Sequence, residues 1–346
     1  MALIVAHHYV VNSGLLELIK ADPLSGSSIF LFLFGAWGKT GINCFVLITG
    51  FFMCKSHITL KKFLKLILEI EFYKIVFYLI FLISGYEPFS LTTFVKAILP
   101  ITSVSTGFTS CYLLFFLCIP FLNILVQNMT KRQHLSLLAL VLFIYVILGT
   151  LPKISVTMNY VTWFIVLYFI ASFVRLYPHK FFENKILWGW STLGIFALSA
   201  LSVVLCAWLG TKLDRDLVFY FVSDSNKVLA VALGFSSFLF FHNIHFESRF
   251  INTVASAMFG VLLIHANSDT MRRWLWQDVL KNTSFLHSPY LVLHAVGCVL
   301  AIVVIGVLID LLRQYLLERP LFFWLDRRFF QKKDKKSSIA SDQNSQ

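Results

Sequence analysis

Tyr290-Leu-Val-Leu-His-Ala-Val-Gly-Cys-Val-Leu-Ala-Ile-Val-Val-Ile-Gly-Val-Leu-Ile-Asp-Leu-Leu-Arg-Gln-Tyr-Leu-Leu317 decides the fold class. A helix that crosses the hydrocarbon core needs about 20 mostly apolar residues, and this run is long enough. Working outward from it, similar runs occupy Met1–Ile19, Gly38–Cys54, Phe63–Ser84, Thr109–Gln127, Leu135–Gly149, Tyr160–Tyr177, Leu187–Leu209, Val228–Phe241 and Phe250–Asn267. The stretches Leu135–Gly149 and Val228–Phe241 are short for a span. Ile29–Ala36 is apolar but is followed by Trp37 and Lys39, a pair expected at an interface, so it is expected to lie along the membrane surface. The predicted fold is all-α, a polytopic transmembrane helix bundle of about ten spans.

Composition agrees. The apolar fraction is 58%, the charged fraction 13%, and Phe occurs 37 times. A soluble domain is roughly 45–50% apolar and about 25% charged, so a water-soluble fold could not cover this much apolar surface. No stretch resembles a soluble domain. Residues 1–326 read as one membrane domain, and 327–346 as a cytoplasmic tail that is first basic and then polar and disordered. The basic part is expected to attract anionic lipid heads.

The net charge of +12 sits in short loops between apolar runs, which points to membrane topology and away from nucleic acid. One set of alternating loops holds 18 Lys and Arg and the other holds 10, with Lys74 inside a span. The richer set should face the cytoplasm. It includes the Lys55–Lys65 loop and the C-terminal tail, so both termini are expected there, as an even number of spans requires. The six cysteines form no CxxC pair and no Cys/His ligand spacing, so neither a metal nor a disulfide framework is expected. No internal repeat is visible, which speaks against a transporter built from related halves. No GxSxG elbow, HExxH or P-loop is present. No basic residue precedes the first apolar run, so the natural start is expected upstream of Met1.

His7 and His8 stand in an otherwise apolar helix. Ionisable groups inside a membrane are costly and are functional candidates by default. A neutral imidazole there could take a proton from an attacking hydroxyl, or could bond to a neighbouring helix. Adjacent residues point about 100° apart, so at most one is expected to face a reacting centre.

Several blocks carry a resemblance. Ile4-Val-Ala-His-His-Tyr-Val10 resembles the first helix of the acyltransferase 3 family of integral-membrane acyltransferases, in the branch that O-acetylates surface polysaccharides. Gly38-Lys-Thr-Gly-Ile-Asn-Cys-Phe-Val-Leu-Ile-Thr-Gly-Phe-Phe-Met53 is similar to the second helix, Cys111-Tyr-Leu-Leu-Phe-Phe-Leu-Cys-Ile-Pro-Phe-Leu-Asn123 to the fourth, and Trp163–Tyr177 to the sixth. Phe259-Gly-Val-Leu-Leu-Ile-His265 resembles a short block ending in His. Leu317-Glu-Arg-Pro320 resembles a closing Glu-x-Pro element. The blocks fall in family order along nearly the whole chain.

The resemblance implies transfer of an acyl group, by expectation acetyl, from acyl-CoA to a hydroxyl of an envelope carbohydrate at the bacterial plasma membrane. Acetyl-CoA would be a co-substrate, with no bound cofactor. It implies His8 as general base, with an Arg eleven positions earlier, on nearly the same helix face and about 16 Å nearer the cytoplasm; that position falls before Met1. Lys61, Lys62 and Lys65 would hold the donor's phosphates, or else are topology charges. Glu318 would contribute to activity, or else pair with Arg319 at the surface. His265 would orient the acceptor or bond to a helix. Thr49 with Gly50 would pack helices closely, Asn43 would bond across helices, and Trp163 and Tyr168 would pack. A glycan carrier or flippase, or a non-enzymatic scaffold, fits the hydropathy equally well.

Overall fold

The computed structural model describes residues 1–105 and 107–330, and every regular element among them is helical. Sixteen α-helices follow in order: α1 (Ala2–Val11), α2 (Leu15–Ala21), α3 (Gly26–Gly35), α4 (Gly38–Met53), α5 (Leu60–Ile83), α6 (Leu91–Ile98), α7 (Phe108–Asn128), α8 (Lys131–Leu142), α9 (Tyr160–Leu176), α10 (Lys185–Leu213), α11 (Val228–His242), α12 (Arg249–Ser256), α13 (Met258–His265), α14 (Asp269–Arg273), α15 (Leu291–Arg313) and α16 (Arg319–Leu325). Side-chain caps start many of them: Thr59 receives the Lys62 amide, Asn159 that of Thr162, Asn184 that of Leu187, and Ser268 that of Met271. At α8, Thr130 and Gln133 cap each other's backbone.

All ten expected apolar segments fall on helices, but they differ in kind. Five helical runs are long and apolar enough to cross a membrane: Gly26–Met53, Phe108–Asn128, Lys131–Leu148, Lys185–Leu213 and Leu291–Arg328. The number rises to seven if two bent pairs count as spans. These are Ala2–Val11 with Leu15–Ala21, bent by 67°, and Arg249–His265 with Asp269–Phe285, bent by 92°. Tyr160–Leu176 and Val228–His242 are apolar but shorter. Helix α5 is long but carries Lys61, Lys62, Lys65, Glu69, Glu71 and Lys74.

Ile29–Ala36 does not lie apart along a surface. It belongs to a 28-residue helical run with α4, and Leu31 and Phe32 are fully buried. The reason is that Lys39 does not need water. Its ammonium donates to the Tyr160 hydroxyl at 2.9 Å and sits 3.6 Å from Asp224. At the other end, helix continues past residue 326 to Phe330, so no break separates the membrane domain from the start of the tail. The remainder of the expected tail, 331–346, lies outside the described residues.

Helix α4 is the hub, packed on α1, α9 and α11. Its small residues permit this. A Cβ on Gly41 would press on Ile4, and one on Gly50 would stand 3.0 Å from the Tyr168 backbone. Asn43 pins the same three-way contact. Its amide donates to the Ser225 and Ala230 carbonyls at 2.7 and 3.2 Å, and its oxygen accepts from Trp163 Nε1 at 2.9 Å. Tyr168, also fully buried, donates to Asn123. Helix α15 packs on both α1 and α13, and so brings the end of α13 beside α1.

Candidate active site

Helix α1 brings both imidazoles of its polar pair against the bundle. His7 Nδ1 donates to the Gly35 carbonyl at 2.7 Å, and its ring covers Gly38 so closely that any Cβ there would overlap it. His8 turns the other way, to the end of α13, where its Nδ1 lies 3.0 Å from His265 Nε2. The expectation that the two rings point apart is met, yet both line one cavity of about 680 Å³.

Hydrogen-bond partners assign the protons. His265 is fully buried, and its Nδ1 lies 2.6 Å from the Val261 carbonyl. A carbonyl only accepts, so Nδ1 carries the hydrogen. In the neutral ring Nε2 is then a bare acceptor, and His8 Nδ1–H must donate to it. That leaves His8 Nε2 with a free lone pair on a ring that lines the cavity. A base oriented by a second group through its far nitrogen is the arrangement that activates a hydroxyl.

The cavity opens where α4, α7 and α9 begin and α5 ends. Gly38, Lys39, Tyr78, Phe108 and Tyr160 line it, as do Asn267 and Arg272 beyond the break after α13. Polar backbone that departs from helix is tolerated at membrane depth where it is buried or faces such a cavity. The bend after His265 therefore builds the site as much as the side chains do.

Lys61, Lys62 and Lys65 lie elsewhere. From Lys65 to Tyr78, thirteen residues along α5 cover roughly 20 Å, so these lysines sit at the opposite end of the bundle. Lys61 pairs with Asp326 at 2.7 Å, Lys65 pairs with Glu318 at 2.7 Å, and Lys62 donates to Ser56 Oγ at 2.7 Å and the His57 carbonyl at 2.9 Å. Thr49 is also remote, bonded to the Phe45 carbonyl and the Tyr112 hydroxyl, both at 3.1 Å.

Glu318 does not pair with Arg319. It belongs to a buried charge cluster between α5 and α15 that the sequence reading did not single out. Arg313 Nη1 meets Glu318 at 2.9 Å, its Nη2 meets Glu69 at 3.1 Å, and its Nε meets Asp310 at 2.8 Å. Tyr73 and Gln314 donate to Asp310 at 2.8 and 2.7 Å. Asp310, Arg313 and Glu69 are 0, 7 and 8% exposed. The usable signal was available: ionisable residues inside apolar runs. At the depth where Gly260 of α13 meets Asp310, the rings of Phe45, Tyr112 and Phe259 pack at 5.4–6.0 Å.

Among the described residues no group of three His, Cys, Asp or Glu side chains could hold a metal ion. A family model described as an acyltransferase domain, acyltransferase 3, matches residues 1–310. The chain belongs to the acyltransferase 3 family. No curated protein and no solved structure matches it. In this acyltransferase the family match covers the His pair, the cavity and Asp310, and stops short of Arg313 and Glu318.

Proposed function

We propose that this membrane acyltransferase moves an acetyl group from acetyl-CoA to a hydroxyl of an envelope carbohydrate, as an O-acyltransferase of the bacterial plasma membrane. The observation that carries the reading is the His8–His265 pair on a polar cavity inside an apolar bundle. The acceptor hydroxyl gives its proton to His8 Nε2 as its oxygen attacks the thioester carbonyl. His8 becomes an imidazolium whose Nδ1–H still donates to His265, so the new charge is stabilised without rearrangement.

In this reading about ten helical segments cross the membrane, and both termini are cytoplasmic. Lys61, Lys62, Lys65 and Arg313 then mark the cytoplasmic end, where the donor's phosphates arrive, and the cavity faces the envelope side, where a glycan arrives. Glu318 holds Lys65 and Arg313 in place at the donor end.

Membranes carrying the chain, given acetyl-CoA labelled in the acetyl group, should transfer label to envelope glycan and release free CoA thiol. General-base help is worth about 10²–10⁴-fold, so His8→Ala should lose most of this activity while inserting normally. Undiminished transfer by that variant would remove the proposal. Glycan movement without thiol release would favour a carrier instead.

A further inference from the structure

The proposed reaction develops a negative charge that the His pair cannot hold. When the hydroxyl oxygen bonds to the thioester carbon, its proton passes to His8 Nε2 and the carbonyl electron pair moves onto oxygen. Collapse re-forms the carbonyl and breaks the C–S bond, and the thiolate leaves with the proton from His8. Ester and free thiol are the only products. Between these steps the oxyanion needs a fixed donor or cation, which is often the largest single contribution to catalysis.

Four cationic side chains line the cavity: Lys39, Lys74, Lys96 and Arg272. Three are unsuited. Lys39 is engaged by Tyr160 and Asp224. Lys74 lies 3.5 Å from Glu71 and donates to the Leu99 carbonyl. Lys96 is exposed at the rim. Arg272 differs: its Nε is covered by protein, but among the described residues its Nη2 has no hydrogen-bond partner, so that edge of the guanidinium is left for a ligand. Its Nη1 is meanwhile tied to Asp269 at 2.9 Å, which fixes the fork, while Asp269 is 98% exposed and so neutralises little of its charge.

Placement agrees. The 92° bend after His265 carries the chain back along the cavity, and the Ser268 cap starts the short helix that bears Arg272. Arg272 and His8 line the same cavity.

We propose that Arg272 is a catalytic residue whose Nη2 edge and charge hold the tetrahedral oxyanion formed at His8. The assignment rests on the acyl-transfer reading above. The test uses the full chain in membranes, acetyl-CoA as donor and the host's total envelope glycan as acceptor, with release of CoA thiol as the readout. Removing an oxyanion donor costs about 10²–10³-fold in kcat. Arg272→Gln and Arg272→Ala should show that loss with the KM for acetyl-CoA nearly unchanged. Added guanidinium ion should restore part of the activity of Arg272→Ala, a recovery that a structural role would not produce. Where Arg272→Ala fails to insert, Arg272→Lys keeps a cation and should show the same kcat loss in milder form. Variants within about threefold of wild-type kcat, or with a raised KM and normal kcat, would overturn the assignment, since the second pattern is ground-state binding. A wild-type chain that releases no thiol would instead defeat the acyl-transfer reading, and this inference with it.

Discussion

At the scale of single residues, the proposed mechanism has His8 and His265 act together through the same tautomer, each ring carrying its hydrogen on Nδ1. The Val261 carbonyl sets the His265 proton, and His265 in turn sets that of His8. His265→Ala should therefore lower kcat by about 10–100-fold, less than His8→Ala, because an unoriented base still samples its working tautomer. The double variant should be little worse than His8→Ala alone, since residues that act as a unit are not additive. Steady-state thiol release for the two single variants and the double variant checks both points, and additive losses would show that the rings act separately. The histidines were legible in the sequence because an imidazole in an apolar helix is conspicuous. Arg272 was not, because in a linear reading it is one more loop cation, and only the bend after α13 places it on the cavity.

At the scale of elements, glycines decide which helices meet. Gly260 on α13 is so close to Asp310 on α15 that any Cβ there would overlap the carboxylate, and Gly306 meets Val261 with a Cβ contact of 3.1 Å. The buried ion cluster therefore depends on a glycine in another helix. Gly260→Val should displace Asp310 and lower the thermal midpoint of the purified chain. Arg313→Leu should cost about 3–5 kcal/mol, the usual effect of leaving buried partners unpaired, because Glu69, Asp310 and Glu318 would lose their shared cation. Adding Asp310→Asn to Arg313→Leu should recover part of the loss, by removing one of the stranded charges. Thermal unfolding in detergent measures all three, and an Arg313→Leu midpoint equal to wild type would show that the cluster adds nothing. Hydropathy located the helical segments but not their character. An apolar run looks the same whether it continues unbroken, as Phe108–Asn128 does, or stops short and turns, as α1 and α13 do. Breaks at Asn12–Gly14 and Ala266–Ser268 involve too few residues to register against the apolar average around them.

At the scale of the whole molecule, the bundle keeps two polar regions apart. One is the cavity at His8. The other is the end bearing Lys61, Lys62, Lys65 and the Arg313 cluster. Between the cavity and those lysines, the packed rings of Phe45, Tyr112 and Phe259 lie at the depth where Gly260 meets Asp310. A donor held at the lysine end has to bring its thioester past those rings, so the two ends must face different compartments for the proposed chemistry to have a direction. In the topology proposed above, the excess of Lys and Arg puts the lysine side in the cytoplasm. Lys96 lies on the cavity rim and Lys131 starts α8 in a loop assigned to the cytoplasm, and both are exposed. The six native cysteines are buried or half-buried, which makes them poor targets for a bulky reagent. A membrane-impermeant thiol reagent should therefore label Lys96→Cys in intact cells and Lys131→Cys only after the membrane is opened. The reverse pattern would place the cavity on the cytoplasmic side. The lysines would then face the envelope, where no acyl-CoA is supplied, and donor and acceptor would both have to reach His8 through one mouth.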